Sequence, residues 1–272
     1  MQIIEQQIKT KLSSSAKFYG YIPDVSQEID PAAERPSVLI CPGGGYVMTS
    51  DREAEPVALN FVAAGFNAFV LRYSIAPARY PVALLEVASA MKLIRKNSAA
   101  WHVDPKRVII AGFSAGGHLA ANFATSWDRD LVTEYGYHAD EIQPNGLFLG
   151  YSVITSGKYA HVDSFKNLLG DRYGEPELMS KVSLEKQVTK STPPAFIWHT
   201  VSDDTVPVEN SLLFAEALEA HQISFELHLF PKGGHGLSLG TSATAIKSNG
   251  YGLEPTVSAW RDLFVAWVQN NI

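Results

Sequence analysis

The chain has 272 residues, 46% of them hydrophobic and 18% charged, with a formal net charge of −6. Such proportions belong to a globular protein with room for a sizeable buried core, built as one large α/β domain or two small ones. The acidic balance argues against nucleic acid or an anionic membrane as partner, because both reward a basic surface.

At the N-terminus, "MQIIEQQIKTKLSSSAKF" has neither the basic start nor the long apolar stretch of a secretory signal. No segment reaches the roughly 18 uninterrupted apolar residues of a membrane span. A cytoplasmic location is the resulting expectation. The opening residues fit one or two antiparallel strands at the edge of a sheet. "SVLIC" (37–41) then reads as a buried strand. It ends at Cys41, the one cysteine, so an intrachain disulfide and a C-x-x-C motif are both excluded. With Pro42 beside it and no sharp turn around it, Cys41 suits a buried structural thiol better than a nucleophile. Three glycines follow, Gly43, Gly44 and Gly45, where bare backbone is expected to approach an anion.

The chain continues with a helix at 53–65, a strand at 67–74 and a helix at 81–101, with Pro81 suited to its first turn. A strand at 104–114 leads into a small-residue helix at 115–127. Strands at 145–152, 194–200 and 224–230 and helices at 207–221 and 255–269 complete the series. Strand and helix alternating this often predict an α/β fold with a mostly parallel sheet of about eight strands, covered on both faces. Residues 153–193 break the rhythm. They are too long for a connector and are expected to form a small cap over the carboxyl edge of the sheet, within a single domain spanning 1–272.

The most informative stretch is "IIAGFSAGGHLAA", which holds G-x-S-x-G as Gly112-Phe113-Ser114-Ala115-Gly116 between a predicted strand and helix. That setting suits a nucleophilic serine, because a sharp strand-to-helix turn needs small neighbours and exposes free N–H groups at the helix start. A serine hydroxyl also needs a base and a carboxylate to orient it. Of the eight histidines, His235 in "FPKGGHGLSLG" stands on a glycine-flanked loop after a late strand. His118, one helical turn beyond Ser114, is expected to pack. No histidines have H-E-x-x-H or other metal spacing. "HTVSDDTVPVEN" offers Asp203 and Asp204 after another strand, and either suits the carboxylate role. The order serine, aspartate, histidine is that of an α/β-hydrolase.

On these residues the chain resembles the α/β-hydrolases from end to end. Within them it resembles the small esterases around hormone-sensitive lipase, and more closely the feruloyl and acetyl-xylan esterase-like group. The resemblance is carried by "PGGGY" (42–46), "LRYSIAPARYPVALLEVASAMKLI" (71–94), "DPKRVIIAGFSAGGHLAA" (104–121), "PPAFIWHTVSDDTVPVENSLLFAEAL" (193–218) and "ELHLFPKGGHGLSL" (226–239). It implies Ser114 as nucleophile and His235 as base. The group's H-G-x-x-D-x-x-V-P pattern falls on His199, Asp203, Val206 and Pro207, which selects Asp203 over Asp204. Pro42 stands where the lipase-like relatives have histidine, and this favours the carbohydrate-esterase side.

The phosphate reading of the glycines fails, since neither a P-loop nor a dinucleotide fingerprint is present. Their implied task is an oxyanion hole, formed by the N–H groups of Gly44, Gly45 and Ala115. The expected activity is hydrolysis of short-chain acyl or aryl esters, including O-acetyl groups of carbohydrates, with a small-molecule ester as partner and without metal or organic cofactor. An arylformamidase uses the same machinery and is the alternative enzyme. A non-catalytic binding protein of the same fold is the alternative class. Tyr46, Tyr73 and Tyr80 suit stacking on a sugar or aryl group equally well as packing. A homo-oligomer is compatible with the sequence.

Overall fold

The strands of this chain are β-branched and aromatic runs bounded by turn residues. In the computed structural model, which describes residues 1–272 except the side chain of Val132, they are β1 (Gln2–Ile8), β2 (Ala16–Ile22), β3 (Arg35–Cys41), β4 (Asn67–Arg72), β5 (Val103–Phe113), β6 (Gly146–Gly150), β7 (Ala195–Thr200) and β8 (Phe225–Phe230). They form one sheet of eight strands in the order β1-β2-β4-β3-β5-β6-β7-β8. From β4 to β8 every pairing is parallel, whereas β1 and β2 join antiparallel at one edge. The mostly parallel α/β sheet expected from the sequence is the one observed.

The helices are α1 (Glu55–Ala63), α2 (Val82–Lys96), α3 (Ser114–Ser126), α4 (Asp130–Thr133), α5 (Ala139–Ile142), α6 (Val162–Leu169), α7 (Pro176–Lys181), α8 (Glu209–Ala220) and α9 (Trp260–Asn271). Side chains alternate across each strand, so the sheet feeds two cores. Leu39 and Cys41 of β3 pack with Leu84 and Met91 of α2, Leu119 of α3 and Phe214 of α8. Val38 and Ile40, on the opposite face, pack with Phe61 of α1 and with Trp260 and Phe264 of α9.

Two helices differ in extent from expectation. The pattern at 81–101 overruns, because α2 stops at Lys96. There Asn97 turns its side chain back to donate from Nδ2 to the Leu93 carbonyl at 2.8 Å, a local bond that competes with helix continuation. The last helix begins as a 3₁₀ turn at Val257–Ala259 and runs to Asn271.

Parallel strands place their carboxyl ends along one edge, where ligands of open α/β sheets bind. On that edge β3 runs into the glycine loop, β5 into Ser114, β7 into the turn at Asp203 and β8 into the loop of His235. Cys41 pairs with Gly112 across β3 and β5, so the glycine loop and Ser114 leave neighbouring strands.

Residues 153–193 hold α6, α7 and two 3₁₀ turns, at Gly170–Arg172 and Leu184–Lys186. Two asparagines tie the segment down. Asn210 of α8 accepts from the Ile154 and Thr155 N–H groups at 2.8 and 3.1 Å and donates to the Tyr159 carbonyl at 2.9 Å. Asn167 of α6 donates to the Gly45 carbonyl at 2.9 Å. Among the described residues, no helix is long and apolar enough to cross a membrane.

Candidate active site

Ser114 opens α3 with a φ of 53°, a left-handed conformation that a non-glycine residue adopts only under constraint. The constraint is crowding around the turn. A Cβ on Gly116 would sit 2.1 Å from the Cys41 carbonyl oxygen, one on Gly112 2.2 Å from that of Gly116, and one on Gly117 1.8 Å from Ser152 Oγ. Only bare backbone lets β3, β5 and α3 come this close, and the closeness holds Ser114 in its strained shape.

Ser114 Oγ lies 2.7 Å from His235 Nε2. On the other side of the ring, Nδ1 donates to Asp203 Oδ2 at 2.8 Å. A carboxylate accepts only, so the proton is on Nδ1 and Nε2 is the acceptor for the serine hydroxyl. Asp203 Oδ1 takes the N–H groups of Thr205 and Val206, each at 2.9 Å. The His199 imidazole stands alongside, with Nε2 at 3.4 Å from Asp203 Oδ2 and its N–H donated to the Val206 carbonyl at 3.0 Å. Burial alone would raise the Asp203 carboxyl. The N–H groups of His199 and His235, with the charge His235 takes up, outweigh it and hold the group well below the ordinary carboxylate range. Asp204 is exposed and, among the described residues, accepts only from the Thr205 hydroxyl, at 3.2 Å. Of the two candidate carboxylates, Asp203 is the one against the imidazole.

The glycine loop reaches the serine directly. A Cβ on Gly43 would lie 2.8 Å from Ser114 Cβ and 2.8 Å from the Phe113 carbonyl. Gly44 and Gly45 have φ of 129° and 61°. Among the described residues nothing accepts a hydrogen bond from either N–H. Ala115, second residue of α3, is in the first turn, where N–H groups have no partner within the helix. These are the three donors expected from the sequence, gathered on the strand edge that carries Ser114.

A residue that sequence reasoning missed fixes this loop. Glu53, 4% exposed, accepts from the Gly43 N–H at 2.7 Å through Oε2 and from the Tyr151 hydroxyl at 2.7 Å through Oε1. Tyr151 in turn accepts from the Ser238 N–H at 3.0 Å and sets its ring edge-to-face on His235, centroids 5.1 Å apart. One carboxylate therefore joins the glycine loop, the end of β6 and the histidine loop. The sequence "SDREAEP" gives little warning of it, since Asp51 and Glu55 look alike and make outer contacts with Arg72 and Tyr21.

The aromatic residues considered for stacking fare differently. Tyr46 and Tyr73 are each 3% exposed and brace the loop from below. The Tyr73 hydroxyl donates to the Pro42 carbonyl at 2.7 Å, and the Tyr46 hydroxyl donates to His118 Nδ1 at 2.8 Å. His118 packs, as expected. Its Nε2–H goes to the Val182 carbonyl at 2.9 Å, and burial, opposed in part by that bond, lowers its pKa to about 4 and keeps it neutral. Burial pushes the Cys41 thiol far up, out of the range of a useful nucleophile. Among the described residues, no three histidine, cysteine or acidic side chains cluster in a way that would hold a metal ion.

Comparison with known proteins gives consistent relatives. The family model described as BD-FAE matches residues 23–218. Endo-1,4-beta-xylanase B of Butyrivibrio fibrisolvens is 39% identical over 250 residues, covering 89% of this chain and 39% of that protein. Acetylxylan esterase of Xylanibacter ruminicola is 31% identical over 216 residues, covering 76% of this chain and 43% of that protein. The chain thus spans less than half the length of these two relatives. Among solved structures, the carboxylesterase Cest-2923 from Lactobacillus plantarum WCFS1 superposes with a TM-score of 0.88 at 31% identity, covering 99% of this chain and 97% of that one.

Proposed function

This chain belongs to the BD-FAE family and has the α/β-hydrolase fold, and from that premise we propose that it is a serine carboxylesterase acting on short-chain acyl or aryl esters, O-acetyl groups of carbohydrates among them. The observation that carries the reading is the unbroken chain from Ser114 Oγ through His235 to Asp203, at 2.7 and 2.8 Å, beside unengaged backbone N–H groups. The names of the relatives support the ester chemistry, and those of the acetylxylan esterase and the xylanase support a carbohydrate setting.

The reaction follows from the protons. His235 Nε2 accepts the Ser114 hydroxyl proton as Oγ attacks the ester carbonyl. The imidazolium so formed is stabilised by Asp203, whose depressed pKa keeps it ionised throughout. Negative charge gathers on the former carbonyl oxygen, where the N–H groups of Gly44, Gly45 and Ala115 stabilise it. One such donor contributes on the order of 2.7–4 kcal/mol to the barrier in well-studied cases. His235 then returns the proton to the leaving alcohol, and water, deprotonated by the same ring, frees the acid from Ser114.

The test is Ser114→Ala. Hydrolysis of p-nitrophenyl acetate should fall to background while circular dichroism stays that of the parent. Retention of most of the activity would remove Ser114 from the reaction. A panel of acetyl, butyryl, octanoyl and feruloyl esters, acetylated xylan and N-formylkynurenine separates an esterase from an arylformamidase.

A further inference from the structure

The segment that follows β6 is anchored on two sides of the strand edge that carries Ser114. On the aspartate side, the Tyr159 carbonyl is held by Asn210, at the start of the helix that follows the Asp203–Val206 turn. On the glycine side, Ser164 Oγ lies 3.9 Å from where a Cβ on Gly45 would stand, and Asn167 holds the Gly45 carbonyl. The chain between Tyr159 and Ser164 therefore runs from the helix after the Asp203 turn to the glycine loop, and His161, in the middle of this span, is near enough to His235 and Asp203 to feel their charges.

His161 is half-buried, and its Nδ1 is 2.8 Å from the hydroxyl of Ser164, itself 2% exposed. The Ser164 N–H also returns to the His161 carbonyl, at 3.1 Å. The ring is thus oriented, and its Nε2 has no hydrogen-bond partner among the described residues. Burial and then the charge of His235 lower its pKa, with Asp163 and Asp203 pulling the other way. The imidazole lies within the field of the Ser114 partners without bonding to them.

A polar ring atom held near a reaction centre costs free energy unless the occupant offers it a partner. In a short acyl group the one polar atom is the carbonyl oxygen, which the glycine-loop and Ala115 N–H groups would take. The remaining polar atoms of such a substrate belong to its alcohol part. We propose that His161 is a specificity residue whose Nε2 hydrogen-bonds a hydroxyl on the alcohol part, so that O-acetylated sugars are favoured over esters of simple alcohols. This rests on the esterase reading above.

The experiment compares the parent, His161→Ala and His161→Gln on acetylated xylobiose and on p-nitrophenyl acetate, whose alcohol carries no hydroxyl. Loss of one hydrogen bond predicts a fall of about three- to tenfold in kcat/KM on the acetylated sugar for His161→Ala. It should appear mainly in KM, with p-nitrophenyl acetate changed less than about twofold and with partial recovery in His161→Gln. Equal losses on both substrates would assign the ring a structural task and overturn the proposal, as would no loss on either. With methyl ferulate as a third substrate, a loss seen only there would move the contact to the acyl side and overturn it too. A parent enzyme inactive on every ester would remove the esterase reading itself, an outcome separate from an active parent whose variants fail to discriminate.

Discussion

Replacing Glu53 by glutamine keeps its shape while removing the charge and one acceptor. The carboxylate now serves two buried donors, Gly43 N–H and Tyr151 O–H, each at 2.7 Å. An amide has one oxygen, so its NH2 must face one of them. Tyr151 tolerates the NH2 better, because a phenol oxygen already accepting from Ser238 can accept once more. The amide oxygen then stays on Gly43, without charge assistance, and the Tyr151 hydroxyl hydrogen loses its acceptor. A bond to a charged group contributes about 1.5–3 kcal/mol against about 1 for a neutral one, and an orphaned buried donor costs about 1–3. Relief of the desolvated charge offsets part of this, leaving about 1–3 kcal/mol of lost stability. That is a fall of about 2–5 °C in Tm for a chain of this size.

The effect on rate should exceed what instability explains at 25 °C. Gly43 precedes the candidate oxyanion donors, and loosening one donor costs up to about 10²–10³ in kcat. We expect Glu53→Gln to lower kcat on p-nitrophenyl acetate by about ten- to a hundredfold with KM nearly unchanged. Tyr151→Phe, which keeps the bond to Gly43, should lose comparable stability and less than about threefold in kcat. Steady-state kinetics with thermal unfolding followed by circular dichroism reads both. Parental kcat in Glu53→Gln, or equal rate losses in the two variants, would refute a role in holding the glycine loop.

Asp203→Asn should reduce kcat by on the order of 10⁴, as loss of the orienting carboxylate does in serine hydrolases. Asp204→Asn should leave it within about twofold, because exposed side chains contribute little, and a reversed result would transfer the role to Asp204. His118, fully buried with a pKa of about 4, makes folding depend on pH. Between its unfolded value of about 6.5 and that figure the unfolded chain binds a proton that the folded one refuses, so stability falls as pH falls. The contribution is about 2–3 kcal/mol between pH 7 and 4.5. Urea unfolding at the two pH values should show it in the parent and not in His118→Gln, which keeps a donor and an acceptor.

The parts legible in the sequence are those whose constraints are local. Ser114 announces itself because the glycines that relieve its turn lie two residues to either side, and His235 because its loop is glycine-flanked after a late strand. The choice of Asp203 came from motif spacing, whereas its physical basis exists only in the fold, where Thr205, Val206 and His235 surround it and Asp204 points outward. Glu53 and Tyr151 are 98 residues apart and meet only when β6 ends beside the glycine loop. His161 likewise means nothing until Asn210 and Asn167 fix both ends of its segment. Tyr46 and Tyr73 stayed open in the sequence for the converse reason, since an aromatic near a glycine loop can face the ligand or the core, and here the core took both.

The crowding at the serine turn divides the molecule into a part that cannot vary and a part that can. A side chain at Gly112, Gly116 or Gly117 would enter atoms of Cys41, Gly116 or Ser152 at 2.2 Å or less, so the turn has no room in which new preferences could be tried. Adaptation to a different ester must come from residues that surround the turn without bracing it. The span from Tyr159 to Ser164 and the exposed Val47 and Met48 beyond the glycine loop are such residues. A library aimed at new substrates should randomise those positions and leave the turn untouched.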